Sequence, residues 1–193
     1  MPYTSEHKAR TRERIVHSAR KLFNRYGFEQ VSIDRIMAEA GLTRGGFYSH
    51  FGSKDELYAA SVSSFTSCNP FRERLARDAI AEPQRLARSL IDVYLCDEVL
   101  ADIESQCPLY ALPGDVARAG LSPQKAYTQL IRNLTQVYLH AMEGQSDREQ
   151  RAQAIVAVCV GGMVLARTTD DPALRASLRA AARQQALRLL EAA

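Results

Sequence analysis

The stretch SIDRIMAEAGLTRGGFYSHFGSKDEL, residues 32–57, decides how the rest of the chain is read. Ser32 suits the N-cap of a short helix running through Ala40, and Gly41 ends it. Thr43 suits the cap of a second short helix over residues 44–51, which stops at Gly52. Ser53 and Glu56 have the Ser-x-x-Glu spacing of a capping box and open a third helix. Two short helices joined by a glycine-containing turn, the second basic and aromatic, read as a helix-turn-helix.

Working outward, the residues before this stretch supply its support. Residues 7–26 place Ile15, Ala19, Leu22, Phe23 and Tyr26 on one face at helical spacing. Lys8, Arg10, Arg12 and Arg14 gather near the start of that helix. Gly27 suits the left-handed conformation that closes a helix, with Phe28 packing back. Val31, Ile33, Ile36 and Met37 continue the small core. Residues 53–79 read as one long helix, with Asn69–Pro70 as the place for a kink because Pro70 has no N–H to donate.

The whole chain has 193 residues, 46% of them apolar, enough for a substantial core. Alternating β-branched runs are absent, and the composition favours an all-α fold. Residues 1–54 hold 10 Lys/Arg against 5 Asp/Glu, a net of +5, while the remainder carries 15 against 17, a net of −2. A basic first third beside a slightly acidic remainder points to a nucleic-acid face at one end. No apolar run reads as long enough to span a membrane, and the start MPYTSEHKARTRERI lacks a signal-peptide hydrophobic region. A cytoplasmic protein is expected, with Cys68, Cys96, Cys107 and Cys159 as reduced thiols. His7, His17, His50 and His140 have no ligand spacing with those thiols, so neither a metal nor a cofactor is expected. Catalysis by Cys107 with His140 has no supporting acid, and an enzyme is not expected.

The pattern ILxxARxLFxxxGFxxxSxxxIxxxAGxxxGxxYxHFxxKxxL reads here IVHSARKLFNRYGFEQVSIDRIMAEAGLTRGGFYSHFGSKDEL, residues 15–57. It resembles the DNA-binding region of the TetR family of transcriptional regulators. The resemblance covers the first third of the chain. It implies a DNA-binding domain over residues 1–52 and a helical regulatory, ligand-binding and dimerisation domain over residues 53–193. It also implies a homodimer on double-stranded palindromic operator DNA, usually as a repressor, and release by a small-molecule effector.

Within the recognition segment, Arg44 has the fork that matches guanine O6 and N7 in the major groove. Thr43 suits a phosphate at the helix start. Gly45 and Gly46 allow close approach of backbone to DNA. Lys54 suits a phosphate as a point charge. By the resemblance, Tyr48 and His50 match positions that contact phosphate, and the cap Ser32 is a further contact. The family also makes the helix that opens at Ser53 the lever that moves the recognition helices.

Beyond it, helices are expected over residues 83–95, 96–106, 113–119, 122–143 and 147–168, and from Pro172, with Asp171 as its cap. The resemblance implies a pocket, for which Tyr94, Cys107, Leu109, Tyr110, Tyr127, Ile131, Leu134 and Tyr138 are the candidate lining: apolar faces with hydroxyl handles. Cys107 lies at a helix break before Pro108, where some electrophile- or oxidant-sensing relatives carry a thiol. Reactivity there needs access and a lowered pKa. The two last helices suit a four-helix dimer interface through Ile155, Cys159, Gly162, Met163, Leu174, Leu178, Ala182 and Leu189. On helix 172 onward the expected apolar stripe is Leu174, Leu178, Ala181, Ala182, Gln185 and Leu189. A ligand- or redox-sensing module with a secondary DNA role is the alternative reading.

Overall fold

A computed structural model describes residues 5–67, 69–71, 74–75 and 81–192. Among these the regular structure is helical: α1 (Ser5–Tyr26), α2 (Ile33–Glu39), a 3₁₀ segment (Arg44–Ser49), α3 (Lys54–Ser67), α4 (Pro83–Tyr94), α5 (Asp97–Ala101), a 3₁₀ turn (Ile103–Ser105), α6 (Pro108–Ala111), α7 (Pro113–Arg118), α8 (Leu121–Ala141), α9 (Arg148–Thr168) and α10 (Pro172–Glu191). Contacts divide the chain into two compact units: residues 1–68 with 103–130, and residues 69–102 with 131–193.

The first unit is built on the stripe seen in the sequence. Ile15, Ala19 and Phe23 of α1 are fully buried with Val31, Ile36, Phe47, Leu57, Tyr58 and Val62. Phe23 meets the Tyr58 ring edge-on at 5.0 Å, and Phe28 lies 4.7 Å from Tyr58. Truncating a buried phenylalanine in such a cluster costs about 3–5 kcal/mol, so this aromatic group is a main source of cohesion. Gly27 has φ +78° and closes α1, its N–H donating to Phe23 O at 2.8 Å. The freed Phe28 N–H donates to the Asp115 carboxylate at 3.0 Å. Asn24, buried on α1, donates its amide to Glu104 O at 3.1 Å and Gln106 O at 2.9 Å. Residues 103–118 are thereby pinned to the end of α1.

Ser32 caps α2 as expected, accepting from Arg35 N–H at 3.1 Å. Ser53 accepts from Glu56 N–H at 3.0 Å, and Glu56 accepts from Gly52 N–H at 2.8 Å, closing the capping box one residue early. Two expectations need correction. Thr43 makes no side-chain cap bond, and the segment after it winds as 3₁₀ rather than α. Gly45 and Gly46 lower its helix propensity, and Ser49 Oγ donates back to Gly46 O at 2.7 Å, which favours the tighter turn. The long helix from Ser53 ends at Ser67, and residues 69–71 are coil and turn. Asn69 Oδ1 accepts from Phe71 N–H at 2.9 Å, an Asx turn that replaces helical bonding where Pro70 donates nothing. Residues 72–73 and 76–80, the rest of that expected helix, and Cys68 lie outside the described residues.

The second unit centres on α9 against α10, with α10 also on α4. Ala152, Ile155, Met163 and Ala166 of α9 are fully buried, as are Ala87 and Ile91 of α4 and Ala186 of α10. Asp171 caps α10 as expected, accepting from Ala173 N–H at 2.8 Å and Leu174 N–H at 3.1 Å. The buried stripe of α10 is Arg179, Ala182, Ala186 and Leu190, not the one expected around Leu174, Ala181 and Gln185. Arg179 accounts for the shift. Its guanidinium donates to Leu95 O at 2.9 Å and pairs with Asp97, so a charged residue is buried with its partners supplied. Arg183 donates to Asp92 at 2.7 Å, and Arg88 pairs with Glu191, fastening α10 along α4. Contrary to expectation, α9 is long and apolar enough by length and composition to cross a membrane. Ala152, Ile155, Val156, Cys159, Met163 and Ala166 pack within this unit, while Leu165 is exposed.

Candidate nucleic-acid interface

The recognition segment hangs on two phenylalanines. Phe47 is fully buried and Phe51 nearly so, which turns the intervening residues outward. Tyr48 is 63% exposed, and its ring meets Phe47 edge-on at 5.1 Å. A Cβ placed on Gly45 would touch nothing within 4 Å, so this backbone is open to an approaching surface. Arg44 Nη1 lies 2.8 Å from Asp34 Oδ2 of α2, and both side chains are exposed. An exposed pair contributes about 0.2–1 kcal/mol, too little to withhold Arg44 from a base edge.

The start of α1 lies beside this segment. A cleft of about 420 Å³ is lined by His7, Lys8 and Thr11 on one side and Thr43, Ser49 and His50 on the other. Burial, then Lys8, Arg12 and His7, hold the His50 pKa below its ordinary value. The charged neighbours among these causes, Lys8 and Arg12, are cations suited to a phosphate. Two of the basic residues on α1 are tied down. Arg12 covers the Phe51 ring at 4.5 Å, and Arg14 donates to Ala40 O at 2.6 Å. His7, Lys8 and Thr11 were not singled out as site residues from the sequence, although the basic run from Lys8 to Arg14 was the available signal.

Lys54 and Ser32 are placed differently from Arg44. Lys54 Nζ donates to Phe28 O at 2.5 Å and sits 4.1 Å from the centre of the Phe28 ring. Burial lowers its pKa. Its first role in the fold is to fasten the start of α3 to the turn after α1. Ser32 Oγ is already engaged by the backbone of α2.

The expected pocket residues fall in both units. Cys107, Leu109, Tyr110 and Tyr127 belong to the first, and Tyr94, Ile131, Leu134 and Tyr138 to the second. Cys107 is only 1% exposed and holds the extended conformation that precedes a proline, φ −67°, ψ 129°. Tyr127 donates its hydroxyl to Leu109 O at 2.6 Å, and burial, then Cys107, pushes its pKa up to about 12. Tyr94 packs edge-on against Phe71 at 5.7 Å. Tyr94, Tyr110 and Tyr138 are buried, Leu134 is half-buried and Ile131 is exposed. Of the expected interface residues, Ile155, Cys159, Gly162, Met163 and Ala182 are buried within the one chain. Leu178 and Leu189 are half-buried, and Leu174 stands exposed on α10, as does Leu165 on α9.

Residues 15–61 match the family model for bacterial regulatory proteins, tetR family. Solved structures of TetR-family proteins align along nearly the whole chain. Residues 15–61 thus carry the DNA-binding region of the TetR family. Among curated TetR-type relatives, the HTH-type transcriptional repressor Rv1474c of Mycobacterium tuberculosis is 38% identical over 83 residues, 42% of this chain and 41% of that protein. The HTH-type transcriptional regulator LmrA of Bacillus subtilis is 25% identical over 172 residues, covering 83% of this chain and 88% of its own. The alignments span less than half the length of the first relatives, 30% of YfiR of Bacillus subtilis and 41% of Rv1474c. The TetR-type fold extends further. The reduced form of NemR from E. coli superposes with a TM-score of 0.72 at 17% identity, covering 93% of this chain and 97% of its own. Every DNA-side residue from Ser32 to Lys54 lies inside the TetR family match, whereas the expected pocket and interface residues lie outside it.

Proposed function

We propose that this TetR-family chain is a transcriptional repressor that binds a palindromic operator as a homodimer. In this reading residues 1–52 contact DNA, and residues 53–193 bind an effector and the second copy. The observation that carries it is the outward-facing segment of Arg44, open Gly45 and Tyr48 beside the basic start of α1. Arg44 reads a guanine, while Thr43, Tyr48, His50 and Lys8 meet phosphates. Two such segments one helical turn apart, about 34–36 Å, would sit in successive major grooves. Exposed Leu165 and Leu174 support a dimer through α9 and α10. The protein acts in the cytoplasm.

For the effector, the burial of Cys107 favours a reversible apolar molecule over a thiol-reactive one. Such a ligand releases DNA by binding better to a conformer whose recognition segments are misplaced.

The test is an anisotropy titration on the DNA upstream of its own gene, over a salt series. Arg44→Ala should cost about 1–3 kcal/mol on the operator and flatten discrimination against mismatched sites. An equal loss on every sequence contradicts the role given to Arg44. Absence of salt-dependent operator binding by the wild type refutes the regulator reading.

A further inference from the structure

A groove of about 780 Å³ runs between α1, α3 and the first turns of α8, inside the first unit. It arises from residue size. On α3 the positions facing it are Ala59, Ala60, Ser63 and Ser64, four small residues on one helical face. They leave a gap where larger side chains would close the helices together. The volume falls in the range of small-molecule sites, roughly 300–1,000 Å³.

The lining has an apolar floor and a charged rim. Val16, Ala59, Ala60 and Ala126 supply the floor, and Arg12, Arg20 and Lys125 bring cations. Two carboxylates, Glu13 and Glu56, also reach it. Glu56 is occupied, accepting from Gly52 N–H at 2.8 Å, and Arg12 is committed to the Phe51 ring. Lys125 is exposed and makes no ion pair among the described residues. Ser63 and Ser122 add hydroxyls at the same rim. His17 lines the groove with its pKa held down by burial, then by Arg20 and Lys21, against an opposing Glu104.

We propose that this groove binds a small organic anion with an apolar body, its charge on Lys125 and the serine hydroxyls and its body on Val16, Ala59, Ala60 and Ala126. The site shares no residue with the expected effector lining or the DNA face around Arg44. It does not depend on operator binding.

The test uses 1-anilinonaphthalene-8-sulfonate, an apolar anion that fluoresces when desolvated, and its uncharged analogue N-phenyl-1-naphthylamine, on the full chain. Saturable binding of the sulfonate should weaken about tenfold in Lys125→Ala, the loss expected for one charge-assisted contact, and recover in Lys125→Arg. Ala60→Leu, or Ser63→Leu if the first variant melts early, should abolish it by filling the gap. Gln150→Ala, at an exposed position of the second unit, should leave it unchanged. The uncharged analogue should be indifferent to Lys125→Ala. Unchanged sulfonate affinity in Lys125→Ala, or an equal loss for the uncharged analogue, overturns the proposal.

Discussion

Gly27→Ala should destabilise the first unit by more than a left-handed glycine alone accounts for. Gly27 sits at φ +78°, where an L side chain costs about 1–2 kcal/mol. A Cβ there would also stand 3.0 Å from Asp115 Oδ2. That oxygen is the one accepting the Phe28 N–H at 3.0 Å, so it cannot retreat without giving up a charge-assisted bond worth about 1.5–3 kcal/mol. Together the two terms come to about 2.5–5 kcal/mol. Gly41 provides the comparison within the same unit. It has φ +65°, and the nearest atom to an added Cβ is Arg14 Nη2 at 3.3 Å, which needs to give by only a few tenths of an ångström and can do so while keeping its bond to Ala40 O. Gly41→Ala should therefore cost little beyond the backbone term, about 1–2 kcal/mol. Urea unfolding of both variants, and of each in an Asp115→Ala background, separates the terms. In that background the excess cost of Gly27→Ala should vanish, a coupling of about 1.5–3 kcal/mol. Equal losses for the two glycines, or no coupling to Asp115, would refute the reasoning.

Three further outcomes follow from other parts of the structure. A Cβ on Gly162 would lie 2.6 Å from Ala182 Cβ, whereas one on Gly161 meets nothing within 4 Å. Gly162→Ala should cost about 1–3 kcal/mol by overpacking α9 on α10, and Gly161→Ala should stabilise by up to about 1 kcal/mol through helix propensity, both read by thermal unfolding. His17 and His50 both have folded pKa values below the ordinary 6.5. The unfolded chain therefore binds more protons as pH falls through that value, and the stability present above it is lost below it. The Tm should drop between about pH 7.5 and 5.5, and less so in a His17→Gln/His50→Gln variant; an unchanged slope contradicts the assignment. Cys107 and Cys159 are buried, and burial pushes the Cys159 thiol up to about 12. A thiol reagent at neutral pH should label half-buried Cys96 well before either, a result checked by mass spectrometry of digests. Early labelling of Cys107 would restore the thiol-reactive effector.

Local signals in the sequence determined the helix-turn-helix end. Ser32, Gly27, Gly41, Ser53 and Asp171 act through bonds to neighbours two to four residues away, so their spacing alone placed the helix boundaries. The stripe of Ile15, Ala19 and Phe23 likewise named the core of the first unit, since one helix face has one period. Tertiary structure decided what depends on residues distant in the chain. Lys54 reads as a phosphate ligand until Phe28, 26 residues earlier, supplies its carbonyl and ring. Arg179 is absent from the expected stripe of α10, yet Leu95 and Asp97 bring it partners and it lies on the buried face. Arg44 reads as a free base reader until Asp34 appears beside it. The groove on Ala59, Ala60, Ser63 and Ser64 has no sequence signature, because small residues on a helix mark close packing or a gap equally well. Only the positions of α1 and α8 decide which, since the space left by a short side chain depends on where the neighbouring helices stop.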